Sequence, residues 1–216
     1  MAKTLAFSEY ILPLSDAGAT LEKVGGKGAA LTEMIRAGLP VPDGFHVTTA
    51  AYRAFVEEND LESAILAALE AADPDKPASL ETASRTIAEL FAQGYIPSEV
   101  AGAIANAYGR LPDADPVVAV RSSATAEDLP EASFAGQQET YLNIVGTDAV
   151  LDAVEHCWAS LWTARAIGYR ARRDIGIEGL SLAVVVQRLV PAEAAGILFT
   201  ANPVNGRRNE AVINAA

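Results

Sequence analysis

The apolar residues follow two different periods along the chain. In the first half they recur at steps of three and four, the spacing of helices that bury one face. Residues 29–37 read as a helix that follows a glycine cluster and ends at Gly38, a residue suited to a left-handed C-cap, ahead of Pro40 and Pro42. Thr48 or Thr49 stands where it could cap the next helix, whose stripe is Tyr52, Phe55 and Val56. Two more helices are predicted, one from about Ser79 with Leu80, Ile87, Leu90 and Phe91, the other over residues 98–108 behind Pro97. The polar stretch 72–78 (ADPDKPA) is a loop too short to separate domains.

From Pro116 the pattern changes. Residues 117–120 and 139–145 carry strand signals, and Thr147 heads a long helix to about Arg173 with Val150, Val154, Trp158, Leu161 and Arg165 near one face. Strands are predicted over 182–190 and 196–200, and a strand-like run at 211–213 reaches the end without a turn or charged tail, which reads as a cut inside a larger protein. The expected fold class is α/β (α+β), with a mainly helical region at 1–115 and a mixed strand and helix region at 116–216. One sheet is expected, covered on one face. An exposed apolar surface is expected near the C-terminal strands.

Composition adds exclusions. Half of the 216 residues are hydrophobic and the formal net charge is −12, which disfavours nucleic acid or an anionic membrane surface as the main partner. The longest apolar stretch, 181–190, is broken by Gln187 and Arg188 and falls well short of the ~20 residues that a membrane helix needs. The N-terminus lacks the apolar core of a signal peptide. A cytoplasmic protein is expected, and the single Cys157 suits reducing conditions. His46 and His156 lie far apart without cysteine neighbours at zinc spacing, so no metal ligands are expected in this chain.

Four clusters could carry chemistry. In residues 24–30, VGGKGAA, three glycines and Lys27 stand at a helix start, where close backbone approach, first-turn N–H donors and a cation suit a phosphate. The Walker spacing is absent, and a flexible turn is the plainer alternative. In residues 120–128, VRSSATAED, Arg121 ends a short strand among small hydroxyl residues; a phosphate nest and simple neutralisation by Glu127 and Asp128 both fit. In residues 133–143, Gly136 precedes a strand on which Thr140 offers a hydroxyl, though an ordinary half-buried strand would look the same. Gln187 either faces a cleft or lies on an edge strand towards solvent. Cys157, Trp158 and Leu161 read as helix packing, and Arg170, Arg172 and Arg173 as a basic helix end that complements the helix dipole.

Taken together and in this order, the clusters resemble the N-terminal nucleotide-binding region of the phosphoenolpyruvate synthase and pyruvate phosphate dikinase family, which also includes rifampicin phosphotransferase. The resemblance runs through GGKGAALTEMIRAGLPVPDGFHVTTAAYRAF, VAVRSSATAEDLPEASFAGQQETYLNI, HCWASLWTARAIGYR and VVVQRLVPAEAAGILFTANPVNG, leaving out roughly residues 60–115.

The resemblance implies the first subdomain of an ATP-grasp fold, ending before the second. ATP and Mg²⁺ are the implied cofactors, with the Mg²⁺ ligands mainly outside this chain. The implied partners are the second ATP-grasp subdomain and a phosphocarrier histidine domain, which takes the β-phosphate of ATP and passes it to an acceptor such as pyruvate or a drug hydroxyl. Lys27, Arg121, Gly136, Thr140 and Gln187 are the implied ATP contacts, and no catalytic residue is expected in this chain, which alone should be inactive. The alternative is a non-catalytic nucleotide-sensing or interaction module that kept the fold. The compact stretch before VAVRSSA leans towards the synthase-like or drug-phosphotransferase branches.

Overall fold

The computed structural model describes residues 9–125, 139–173, 175–176 and 179–215. The chain order is β1 (Ile11–Pro13), α1 (Leu21–Arg36), β2 (Gly44–Val47), α2 (Thr49–Glu58), α3 (Leu61–Glu70), α4 (Pro77–Gln93), α5 (Ser98–Tyr108), β3 (Val118–Ala124), β4 (Thr140–Ile144), α6 (Thr147–Ala159), a 3₁₀ turn (Ser160–Trp162), α7 (Ala164–Arg172), β5 (Leu182–Arg188), β6 (Gly196–Phe199) and β7 (Val212–Ala215). The result is a mixed α/β fold.

Strands β1 to β5 form one sheet in the order β1-β2-β5-β3-β4, with every neighbouring pair antiparallel. Side chains alternate between the faces of a strand and directly paired residues share a face, so the registers divide the sheet. Phe45 and Val47 of β2, Val184 and Val186 of β5, and Val118 and Val120 of β3 lie on one face and belong to the main core. Helices α2, α5 and α6 lie against β-strands, with α3, α4 and α7 packed outside them. Phe55 holds this layer together, its ring 5.2 Å from Trp158 and 5.3 Å from Phe91. Trp162 Nε1 donates to the Tyr52 hydroxyl at 3.0 Å, and burial pushes that phenol's pKa up.

Several sequence expectations needed correction. The sheet is covered on both faces, because α1 lies against β3 and β5 on the side opposite the aromatic core. A second sheet exists as well, the antiparallel pair β6 and β7. Its residues Ile197, Leu198 and Ile213 are 60%, 58% and 69% exposed, as the expected apolar surface near the C-terminal strands requires. Helix α1 does not follow the glycine cluster but contains it, since the chain is already helical at Leu21 and breaks only at Gly25. Its C-terminus agrees with expectation: Gly38 adopts φ 76° and its N–H reaches Ile35 O, while Leu39 N–H reaches Met34 O, the paired bonds of a Schellman motif.

The long helix expected over 147–173 is broken at Ser160–Thr163, where Thr163 caps α7 by accepting from Ala166 N–H at 3.3 Å. Its start is capped by Gly146 at φ 89° rather than by Thr147. Thr48 and Thr49 do not spend their hydroxyls on α2 either; they donate to Glu9 O and Glu22 O. The strand expected at 139–145 is β4, a largely exposed edge, whose register on β3 shifts beside Asn143 at φ 59°. Strands β1 and β2 and helix α3 were not foreseen. Cys157 and Trp158 are fully buried and Leu161 packs against the core, as read from sequence. Arg170 is buried and lies over the Trp162 ring at 5.1 Å, so its role is packing more than complementing a dipole.

Candidate functional site

The second face of the sheet gathers most of the residues singled out in the sequence. On β3 it carries Ala119, Arg121 and Ser123, which pair with Gln187, Val185 and Ala183 of β5. On β2, His46 and Gly44 pair with Val185 and Gln187, and on β4 Thr140 pairs with Arg121. Arg121, Thr140 and Gln187 therefore share a face although they are up to 66 positions apart in the chain. Lys27 reaches the same region from α1, its Nζ donating to Ser122 O at 2.8 Å. Gly136 lies outside the described residues.

Glycine makes this approach possible. At Gly25 the backbone takes φ 69°, and a Cβ there would stand 2.2 Å from Ser123 O. At Gly28 a Cβ would meet Val24 Cβ at 2.9 Å and His46 Nδ1 at 3.1 Å. Both glycines thus serve the contact between helix and sheet, a use that GGKG shows no sign of when read alone. Arg121 stands in the middle of β3 rather than at a strand end, and is half-buried. Gln187 is only 8% exposed and its strand is central, which overturns the edge-strand alternative. Its Nε2 donates to Pro42 O at 3.2 Å. Next to it, Arg188 turns to the surface and pairs with Asp113 at 2.7 Å and Asp43 at 3.7 Å.

Two residues where α1 meets the sheet escaped the sequence reading. Thr32 Oγ1 lies 2.8 Å from Leu14 O, 3.1 Å from Gly28 O and 3.2 Å from His46 Nε2. A hydroxyl has one proton to give to a carbonyl, so His46 Nε2 carries the hydrogen that points at Thr32. His46 is fully buried with Nδ1 lacking a partner, and burial lowers its pKa from 6.5 to about 4. It is a neutral peg, not a ligand. The available signal was alternation: in GFHV, Phe45 and Val47 mark one face and leave His46 on the other.

Chemically, two cations with a hydroxyl and a nearly buried amide on the same face of the sheet suit an oligophosphate ester better than an apolar ligand. Among the described residues no group of three or more His, Cys, Asp or Glu side chains could hold a metal ion, and none of their helices is long and apolar enough to cross a membrane.

Residues 21–216 match the family described as pyruvate phosphate dikinase, AMP/ATP-binding domain. The chain belongs to this family. It is 45% identical over 229 residues to the probable phosphoenolpyruvate synthase of Pyrococcus horikoshii, covering 89% of this chain and 28% of that protein. It is 48% identical over 200 residues to the phosphoenolpyruvate synthase of Aeropyrum pernix, covering 90% and 24%. A rifampicin phosphotransferase of Streptomyces sviceus is 46% identical over 208 residues, covering 95% and 24%. The chain spans about a quarter of the length of these relatives.

Proposed function

We propose that the face beneath α1 binds the phosphates of ATP within a larger ATP-dependent phosphotransferase of the phosphoenolpyruvate synthase type. On this reading the chain is the first, N-terminal subdomain of an ATP-grasp fold and works with a second subdomain. Lys27 and Arg121 bear on the phosphates, Thr140 stands beside them and Gln187 borders the base, while the expected contact at Gly136 falls outside the described residues. The observation that carries the reading is the sheet register, which puts Arg121, Thr140 and Gln187 on one face below the helix that bears Lys27.

Phosphoryl transfer depends on positioning and on neutralising negative charge. Two cations held by a rigid strand and a helix start supply both, and the donor set therefore fits a triphosphate. Mg²⁺ would travel with ATP and supply further charge neutralisation, with most of its ligands beyond these residues. The β-phosphate would then pass to a phosphocarrier histidine on another domain and on to an acceptor such as pyruvate or a drug hydroxyl.

The test is Lys27→Ala and Arg121→Ala in the full-length protein. Each removes a charge-assisted contact of roughly 1.5 to 3 kcal/mol, so ATP affinity should fall about ten- to hundredfold with little change in melting temperature. Variants that bind and use ATP like the parent would refute the assignment, as would activity lost only through unfolding.

A further inference from the structure

The start of the helix segment after Gly25 poses a problem of hydrogen bonding. The first turn of a helix leaves N–H groups without intrahelical partners, and the usual remedy is a Ser, Thr, Asp or Asn at the cap position, whose side chain accepts from the second or third residue of the turn. Here the residue at the break is Gly25, which has no side chain, and nothing larger fits there.

The missing group comes from another strand. Ser123 Oγ accepts from Gly28 N–H at 3.1 Å and donates to Val24 O at 2.7 Å, so one hydroxyl bridges both sides of the break. Ser123 is fully buried, and it stands two residues from Arg121 on the same strand and the same face. The neighbouring Ser122 O receives Lys27 Nζ. A single strand therefore bears one cation directly and holds the turn that bears the other.

We infer that Ser123 is a positioning residue for phosphate binding: its hydroxyl caps the segment of α1 that restarts after Gly25 and thereby sets Lys27 in register with Arg121. This rests on the reading of Lys27 and Arg121 as phosphate contacts. Without the hydroxyl, Gly28 N–H and Val24 O would be buried and unpaired, and the turn would shift to satisfy them. Lys27 moves with the turn, whereas Arg121 and Gln187 stay on the sheet. Contacts to the triphosphate should suffer and contacts to the nucleoside should not.

The experiment is equilibrium binding of ATP and of adenosine to the full-length protein with Ser123→Ala, with Lys27→Ala, and with both. Ser123→Ala is expected to weaken ATP roughly tenfold, the size of a lost helix cap, and to leave adenosine unchanged. In the Lys27→Ala background the same substitution should have little further effect on ATP, because it acts through Lys27. Equal losses for ATP and adenosine, or a full tenfold loss on top of Lys27→Ala, would overturn the inference and make Ser123 a structural residue only. If Lys27→Ala leaves ATP binding intact, the phosphate reading fails and this inference falls with it; if Lys27→Ala weakens ATP and Ser123→Ala does not, this inference alone fails. Should Ser123→Ala not fold, Ser123→Cys keeps the volume with a weaker acceptor and is read the same way. Unfolding of both variants would assign Ser123 to the fold and also overturn the inference.

Discussion

The two faces of the five-stranded sheet are closed by different physics. On one, Tyr52, Phe55, Phe91 and Trp158 interlock over a valine floor from β3 and β5, and the contact is made by volume. On the other, α1 is seated through Gly25 and Gly28 by directional bonds from Ser123 and through Thr32 and His46. Bulk filling tolerates some slippage but leaves no opening. A few hydrogen bonds at small residues hold a helix start in one place while polar side chains stand beside it. The first arrangement stabilises the domain, and the second fixes the backbone beside the candidate site.

The largest effect should come from the aromatic face. Trp158→Ala empties a fully buried position and should cost about 3–5 kcal/mol, whereas Thr32→Val on the other face should cost about 1–3 kcal/mol, the scale of the two hydrogen bonds its hydroxyl makes. Urea unfolding of the two variants measures this directly. Equal losses would mean that the faces do not divide the work.

A smaller effect separates the faces by pH. His46 titrates near 6.5 when unfolded and near 4 when folded. As pH falls the unfolded chain therefore takes up its proton first, and stability present above pH 6.5 is lost on the way down to about 4. The loss should be about 2 kcal/mol by pH 5. Unfolding midpoints at pH 7 and pH 5 should draw closer together in His46→Val, where carboxylate contributions common to both proteins cancel. An unchanged gap would remove His46 from the account of the second face.

The smallest effect on stability belongs to the β6 and β7 pair. Ile197→Lys should alter stability by no more than about 0.5 kcal/mol, while lowering self-association of this chain in sedimentation, because exposed apolar strands promote pairing. A large fall in melting temperature would show that the pair is braced by one of the faces after all.

How much of this was legible beforehand depended on how local the signal was. Helices α4 and α5 could be read from apolar spacing and from Pro97, and Gly38 announced its cap, since each of these depends on neighbours a few residues away. Strands β1 and β2 are only three and four residues long, too short for the alternation in GFHV to announce a strand by itself; they exist because β5 offers β2 an edge. The break after α6 was hidden because 147–173 keeps one apolar stripe while Thr163 captures an amide of the next turn. Lys27, Arg121, Thr140 and Gln187 were visible as residue types in four separate clusters. His46 and Ser123 were not visible as members of the site, because their partners lie 14 and 95 positions away.

The sequence by itself determined the helical periods, the glycine allowance at residues 25 and 28, the residue types at the candidate site and, through its motifs, the family. These are local properties of side chains and backbone. Only the tertiary structure decided which face each strand residue joins, that β5 is central, and that a serine from β3 bridges the break that Gly25 makes inside α1. Those outcomes depend on register between distant strands, and a shift of one residue would have sent every one of these side chains to the opposite face.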